Sequence, residues 1–247
     1  MELPDRDAHE AEFARRIGRD WDQRRRELNR MLTELDQIDG QPNLDLIPEE
    51  HWEEHRKKDE THIALLLYLM MQKSAAIHLD QINAADRWHA AMASPERTVS
   101  TLANVEPVIA AQAQRRGAEI AAAKDRRNRE ALRIARENGQ LGTLPDIRTT
   151  TMRIYGPSQV AETVITNVTH GRTIGAETVV SQTVGLSPDD LWLTVYGSGT
   201  IDKRVCPVCY ALNRTPRTYW ARFFPEGPPA HPRCRCDIDH KHTQPNP

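Results

Sequence analysis

All four cysteines of this chain fall in its last 42 residues, in two tight groups: Cys206-Pro207-Val208-Cys209 and His231-Pro232-Arg233-Cys234-Arg235-Cys236. Twenty-four residues separate Cys209 from Cys234. A tetrahedral cation needs two short ligand pairs, each on its own turn, joined by a loop. The two-residue gap in Cys206-x-x-Cys209 lets the backbone curl so that both sulfurs face one ion, and Pro207 stiffens that turn. The second group offers three donors: His231, Cys234 and Cys236. His231 and Cys234 repeat the spacing of the first pair, whereas Cys234 with Cys236 is the other choice. The expectation is one structural Zn2+ held by four of these five donors.

Other uses of the thiols fit less well. Disulfides suit secreted chains, and the N-terminal Met1-Glu2-Leu3-Pro4-Asp5-Arg6-Asp7 is charged and lacks the apolar stretch of a signal peptide. A bridge across Cys234-Arg235-Cys236 would be strained. A redox Cys-x-x-Cys sits beside a βαβ pattern, which is not visible here. Arg235 and Asp237 surround the thiols with charge, which argues against inert core cysteines.

The remainder reads as helix. Only 5% of the 247 residues are aromatic and 28% are charged, a composition suited to long solvated helices. Phe13, Ile17, Trp21, Leu28, Leu32 and Leu35 recur mostly at three- and four-residue steps, predicting a helix over 5–38 that stops at Gly40-Gln41-Pro42-Asn43. Pro48-Glu49-Glu50 opens a second helix running to about Ala93, with His62 as a candidate break. Its Leu65–Met71 run is apolar all round, so more than one face should be buried, and it is also the surface expected to dock on a partner. After Ser94-Pro95-Glu96, a third helix spans roughly Val105 to Asn138, with Gly139 as its stop. Leu141 to Tyr155, carrying Pro145 and Thr149-Thr150-Thr151, reads as a polar connector.

Beyond it, Pro157 to Val184 is helix-compatible but rich in β-branched residues, so packing must hold it. Leu191 to Tyr196 alternates as a short strand. The aromatics of Tyr219-Trp220-Ala221-Arg222-Phe223-Phe224 are positioned to roof a metal site. The expected fold is therefore mainly α with a small α+β zinc-binding C-terminal domain. Residues 1–145 form a helical region (bundle or extended arm), 155–240 the zinc-binding domain, and 241–247 a polar tail, with His240 onward frayed.

Residues 155 to 240 resemble the phage Mu F-like head morphogenesis family, the minor capsid proteins of tailed bacteriophages. The resemblance rests on an ordered string: the helical segment Thr163 to Glu177, Trp192, Asp202-Lys203-Arg204-Val205-Cys206-Pro207-Val208-Cys209, and Pro228-Pro229-Ala230-His231-Pro232-Arg233-Cys234-Arg235-Cys236. The family pattern is an aspartate shortly before Cys-Pro-x-Cys, then Pro-Pro-x-His-Pro-x-Cys-Arg-Cys. Two departures stand out. The family has a glycine a few residues after the second cysteine, where Asn213 is the nearest equivalent, and the helix around Thr166 to Arg172 is poorer in alanine and asparagine. Asparagine tolerates a left-handed backbone, so that turn is expected at Asn213. The resemblance implies a few-copy virion protein, assembled in the host cytoplasm, that associates with the portal or major capsid protein and acts in head assembly or in handling packaged DNA.

Chemistry at the thiol cluster reads as structural. A hydrolytic zinc keeps a position open for water, whereas five sulfur and nitrogen donors compete here for one ion. No catalytic residue is assigned, and Asp202 is expected to cap the first knuckle, with Arg235 in a surface ion pair. Two other functions stay in view: a zinc-dependent nuclease or toxin-like enzyme acting on DNA, and a DNA-binding zinc adaptor inside the head. The net charge of −2 gives no overall pull on nucleic acid. The basic stretches Arg24-Arg25-Arg26, Arg115-Arg116 and Arg126-Arg127-Asn128-Arg129 interleave with acids and read as solvated helix faces. His51 and His55, one helical turn apart, read as exposed. Ile63 to Met71 is too short to cross a bilayer, which takes about 20 residues, so no membrane partner is expected.

Overall fold

The computed structural model describes residues 6–89, 95–194 and 206–241, with side chains outside 83–102. Its first helix, α1 (Arg6–Glu34), ends close to the expected place. A tight antiparallel pair follows, β1 (Gln37–Ile38) and β2 (Gln41–Pro42), in the register Gln37 opposite Pro42. Asp39 and Gly40 form its turn with φ of 53° and 72°, the left-handed geometry that suits Asp-Gly in a two-residue hairpin. Sequence reading took this stretch only as a helix stop.

α2 (Glu49–His89) runs without a break through His62, so no interruption occurs there. The expected end at Ala93 lies outside the described residues. α3 (Pro95–Glu137) starts ten residues earlier than the alanine-rich pattern suggested. Its end is a Schellman arrangement: Gly139 N–H donates to the Arg136 carbonyl, Gln140 N–H to that of Ala135, and Gly139 sits at φ 70°.

The polar connector proves to be a helix, α4 (Leu144–Tyr155). Thr143 caps its first turn by accepting the Asp146 N–H, and Pro145 occupies an early position where a missing N–H costs nothing. Ile147, Thr150, Thr151 and Ile154 form its buried face at helical spacing. Two threonines read as solvent-facing are thus core residues; the Thr151 hydroxyl donates to Asn29 Oδ1 at 2.6 Å.

α5 (Pro157–Thr183) forms as anticipated and is held by packing, with Val160, Val164, Val168, Thr173, Ala176, Val179 and Val180 buried. Beyond it lie β3 (Leu191–Leu193), α6 (Pro207–Leu212), α7 (Arg217–Trp220) and β4 (Asp237–Asp239). β3 and β4 pair antiparallel, Trp192 opposite Ile238. The expected strand to Tyr196 stops at Leu193, with Thr194 already outside it, and residues 195 and 196 lie outside the described residues. Among the described residues the chain is mainly helical, with two small antiparallel sheets.

Two compact units emerge. One comprises residues 1–6, 65–114 and 165–247, the other 7–64 and 115–164, so each draws on both sides of the 145–155 segment. In the first unit, Leu66, Leu67, Met70 and Met71 are fully buried. A Cβ on Gly175 of α5 would lie 2.2 Å from the Met71 carbonyl oxygen, so the two helices approach backbone to backbone. This packing buries Leu66, Leu67, Met70 and Met71, while Leu65 is 39% exposed and Tyr68 and Leu69 are half-buried. Most of the run expected as a docking face is thus engaged in the chain's own core.

In the second unit, Asp59 of α2 accepts from the Trp21 indole N–H at 2.9 Å and from Arg24 at 2.7 Å. Arg24 is buried in this network, not on a solvated face. Its neighbours Arg25 and Arg26 do pair with Asp22 at the surface, Arg115 and Arg116 with Glu119, and Arg129 with Glu49 and Asp125. Among the described residues, no helix is long and apolar enough to cross a membrane.

Candidate metal centre

The first cysteine pair opens a helix. Cys206 is the N-cap of α6, its sulfur accepting the Cys209 N–H at 3.4 Å, and Pro207 pre-sets the first turn. Cys209 follows one turn on and is 1% exposed. The second pair is anchored by α5. Arg233 N–H donates to the Thr166 hydroxyl at 2.9 Å, and the Thr169 hydroxyl donates to the Cys234 carbonyl at 2.5 Å. Cys234 N–H closes a turn onto the His231 carbonyl at 3.1 Å, with Arg233 left-handed at φ 61°. Cys236 immediately precedes β4, which Arg172 of α5 ties down through Asp237 at 2.5 Å.

These anchors converge all five donors. His231 Nε2 lies 2.9 Å from the sulfurs of both Cys206 and Cys209, and the Cys209 and Cys234 sulfurs are 3.7 Å apart. Neighbouring sulfurs of a tetrahedral zinc sit about 3.8 Å apart, given Zn–S of about 2.3 Å. The donors form two triads, Cys206/Cys209/His231 and Cys209/Cys234/Cys236, sharing Cys209. His231 Nδ1 is 2.7 Å from the Pro232 carbonyl, which fixes the proton on that nitrogen and leaves Nε2 to ligate. His231 and Cys236 thus both lie among the groups that could hold an ion. All four cysteines are free thiols, so the disulfide reading falls away.

The chemistry of the set suits a cation. Cys234 is drawn toward thiolate by hydrogen bonds from the Cys209 and Cys236 thiols and from the backbone amides of Cys236 and Ala230, despite its burial. Cys209 is pushed up by its bond to Cys234 and then by Cys236 and burial. Cys236 is helped by Cys209 but pushed up overall by Cys234 and burial. Packed together without a cation, the three cannot all ionise; a divalent ion removes that conflict. The cluster can therefore hold a metal ion.

The same cysteines belong to a small core. Trp192, Leu212, Trp220 and Ile238 bury against Cys209, Cys234 and Cys236, with Phe224 at the edge. Trp192 meets Trp220 edge-on at 5.7 Å and Phe224 at 5.6 Å. The aromatic roof is thus Trp192, Trp220 and Phe224, whereas Tyr219 and Phe223 face solvent.

Several supports were not legible as site residues. Asp190, fully buried, accepts from His240 Nδ1 at 3.1 Å, Arg217 Nε at 3.3 Å and the Lys241 N–H at 2.8 Å. Burial alone would raise its pKa, but His240, Lys241 and Arg217 hold it below the usual carboxylate value. His240 is accordingly buried rather than part of a frayed tail. The left-handed residue after the first knuckle is Arg214, φ 60°, not Asn213, whose Oδ1 instead accepts the Thr194 N–H at 3.1 Å. Asp202 lies outside the described residues.

The His51–His55 pair also departs from expectation. His55 is buried and His51 half-buried, with ring centroids 4.1 Å apart and Glu27 beside them. Burial, with the His51 and Arg24 charges adding to it, lowers the His55 pKa to about 3.

No family description matches this chain, and neither does any curated protein or solved structure with which it was compared.

Proposed function

We propose that this chain is a bacteriophage minor capsid protein of the Mu F-like head morphogenesis kind, associating with the portal or inner capsid and carrying one structural Zn2+ among Cys206, Cys209, His231, Cys234 and Cys236. The observation that carries this reading is the convergence of those five donors. The two segments that bear the resemblance are the ones that meet, and the helix held against the second of them, through Thr166 and Thr169, is the third part of the same string. Bound there, zinc would supply a cross-link between segments far apart in sequence.

The role is structural rather than catalytic. Donors outnumber the positions of a tetrahedral ion, and three of the four cysteines are buried in one cluster with Trp192 and Trp220, which limits the room for attacking water. The chain's own residues would do the rest: α5 orients the second knuckle, and the Asp190 network secures the end of β4.

Co-expression with the portal protein of its own phage tests the assembly reading. Co-purification of zinc-loaded protein with portal is the expected result, and absence from both portal complexes and virions contradicts it. A DNA-binding adaptor is favoured by one observation: Arg25, Arg26, Arg30 and Arg148, with Glu34 as the one acid among them, line a groove of about 560 Å³. Steeply salt-dependent binding to non-specific duplex, lost on substituting Arg30 and Arg148, would support that role instead. Metal-dependent cleavage of plasmid DNA abolished in Cys206→Ser would support the nuclease.

A further inference from the structure

We infer that Glu27, His51 and His55 form a second metal site, built wholly from the N-terminal helices and suited to a borderline divalent transition cation such as Zn2+. His51 and His55 stand one turn apart at the start of α2 and so share a face. Glu27 reaches them from α1. The two helices run antiparallel here, since Trp21 and Arg24 bond to Asp59 while Glu27, further along α1, meets the earlier His55. One oxygen of Glu27 lies 3.7 Å from His55 Nε2, and the ligating atoms of all three residues lie within 4.8 Å of one another.

That spacing is too long for a hydrogen bond and close to what a shared ion imposes. Donors on a tetrahedral zinc with bonds of about 2.0–2.1 Å sit roughly 3.3 Å apart. The imidazoles add an independent sign. His51 Nε2 and both ring nitrogens of His55 are buried without a hydrogen-bond partner. Orphaned buried polar atoms are uncommon because each forfeits its hydration. A cation would satisfy one nitrogen on each ring and neutralise Glu27 in the same event. The second His55 nitrogen is unpaired with or without the ion, so it does not bear on the choice.

Nearby charge does not forbid a cation. Arg24 is paired with Asp20 and Asp59, and Glu27 brings the negative charge that two neutral imidazoles lack. Two histidines and one carboxylate leave a fourth position open to water, and the Glu27 side chain, 36% exposed, provides the way in. Nitrogen and oxygen donors alone set this site apart from the thiolate cluster.

Full-length protein carrying one equivalent of Zn2+ at its cysteines should be titrated with Co2+. One further equivalent should bind, giving ligand-field absorption with no sulfur-to-cobalt charge transfer. Glu27→Gln and His51→Ala should each weaken that binding by at least the roughly 10–100-fold known for outer-shell changes. Glu27→Gln keeps size on a part-exposed residue, and unchanged far-UV circular dichroism verifies folding. In the unsubstituted protein, the imidazole proton resonances of His51 and His55 should shift or broaden as Co2+ is added. Absence of a further equivalent, binding that survives both substitutions, or unperturbed His51 and His55 resonances overturns the assignment. None of these results touches the cysteine site.

Discussion

His231 Nε2 lies 2.9 Å from the sulfur of Cys209, a residue 22 positions earlier in the chain. Nothing local brings them together. Cys209 is placed by the first turn of α6, and His231 by a turn whose neighbours Arg233 and Cys234 are gripped by hydroxyls of α5. The Cys/His cluster and the small aromatic core are therefore one construction, because three of its cysteines are also core residues.

Cys209 belongs to both triads, so Cys209→Ser should do more harm than any other single ligand change. Structural zinc contributes about 10–16 kcal/mol of apparent binding free energy in small modules. Loss of stoichiometric zinc and of near-ultraviolet dichroism from Trp192 and Trp220 is expected. Prolonged chelation of the unsubstituted protein should reproduce both effects, as read by metal analysis and thermal unfolding.

On the proposed reading, His231 ligates through Nε2 alongside Cys206, Cys209 and Cys234. His231→Ala should then bind zinc at least a hundredfold more weakly, whereas Cys236→Ser should keep about one equivalent. Competition against a chromophoric chelator measures both. Retention in His231→Ala with loss in Cys236→Ser would exchange the two residues' roles.

Gly175 tests the helix crossing in the cysteine-bearing unit. An added Cβ meets the Met71 backbone at 2.2 Å, and backbone cannot rotate away. Gly175→Ala should destabilise by about 1–3 kcal/mol despite its gain in helix propensity. Gly18 in α1 has only Val160 Cγ1 at 3.9 Å, so Gly18→Ala should stabilise by roughly 0.5–1 kcal/mol. Chemical denaturation of the two variants distinguishes packing from propensity.

Lys124 gives a pH dependence. Its ammonium lies 3.5 Å from the centroid of the Trp21 ring, and burial lowers its pKa from 10.5 to about 8 even though Asp59 pulls the other way. The unfolded chain therefore holds the proton more tightly than the folded one, and stability rises with pH between about 8 and 10.5. The rise attributable to Lys124 should reach about 3 kcal/mol at most, at about 1.4 kcal/mol per pH unit. Subtracting the pH profile of Lys124→Met isolates it. Parallel profiles would refute the assignment.

What could be read from residues alone was what local spacing dictates. The knuckle pairs, the long helices, the Gly139 stop and the tryptophan strand all announce themselves within a few positions. Misreadings arose where tertiary packing reassigned residues with ambiguous local character. Thr150 and Thr151 look solvated until α4 buries them, and Pro145 looks like a breaker until it falls in a first turn. Leu65–Met71 looked available for docking because sequence cannot show that α5 approaches it through Gly175. His55 and His240 are buried by partners in distant segments, Glu27 beside the one and Asp190 against the other. No spacing rule links such pairs.

The central claim is that one zinc joins the two knuckles. X-ray absorption at the zinc edge, on Glu27→Gln protein so that only the cysteine cluster is counted, tests it most directly. The account predicts about one zinc per chain in a shell of three sulfurs near 2.3 Å and one nitrogen near 2.0 Å. Less than about half an equivalent of zinc, or a shell made only of nitrogen and oxygen, would contradict it.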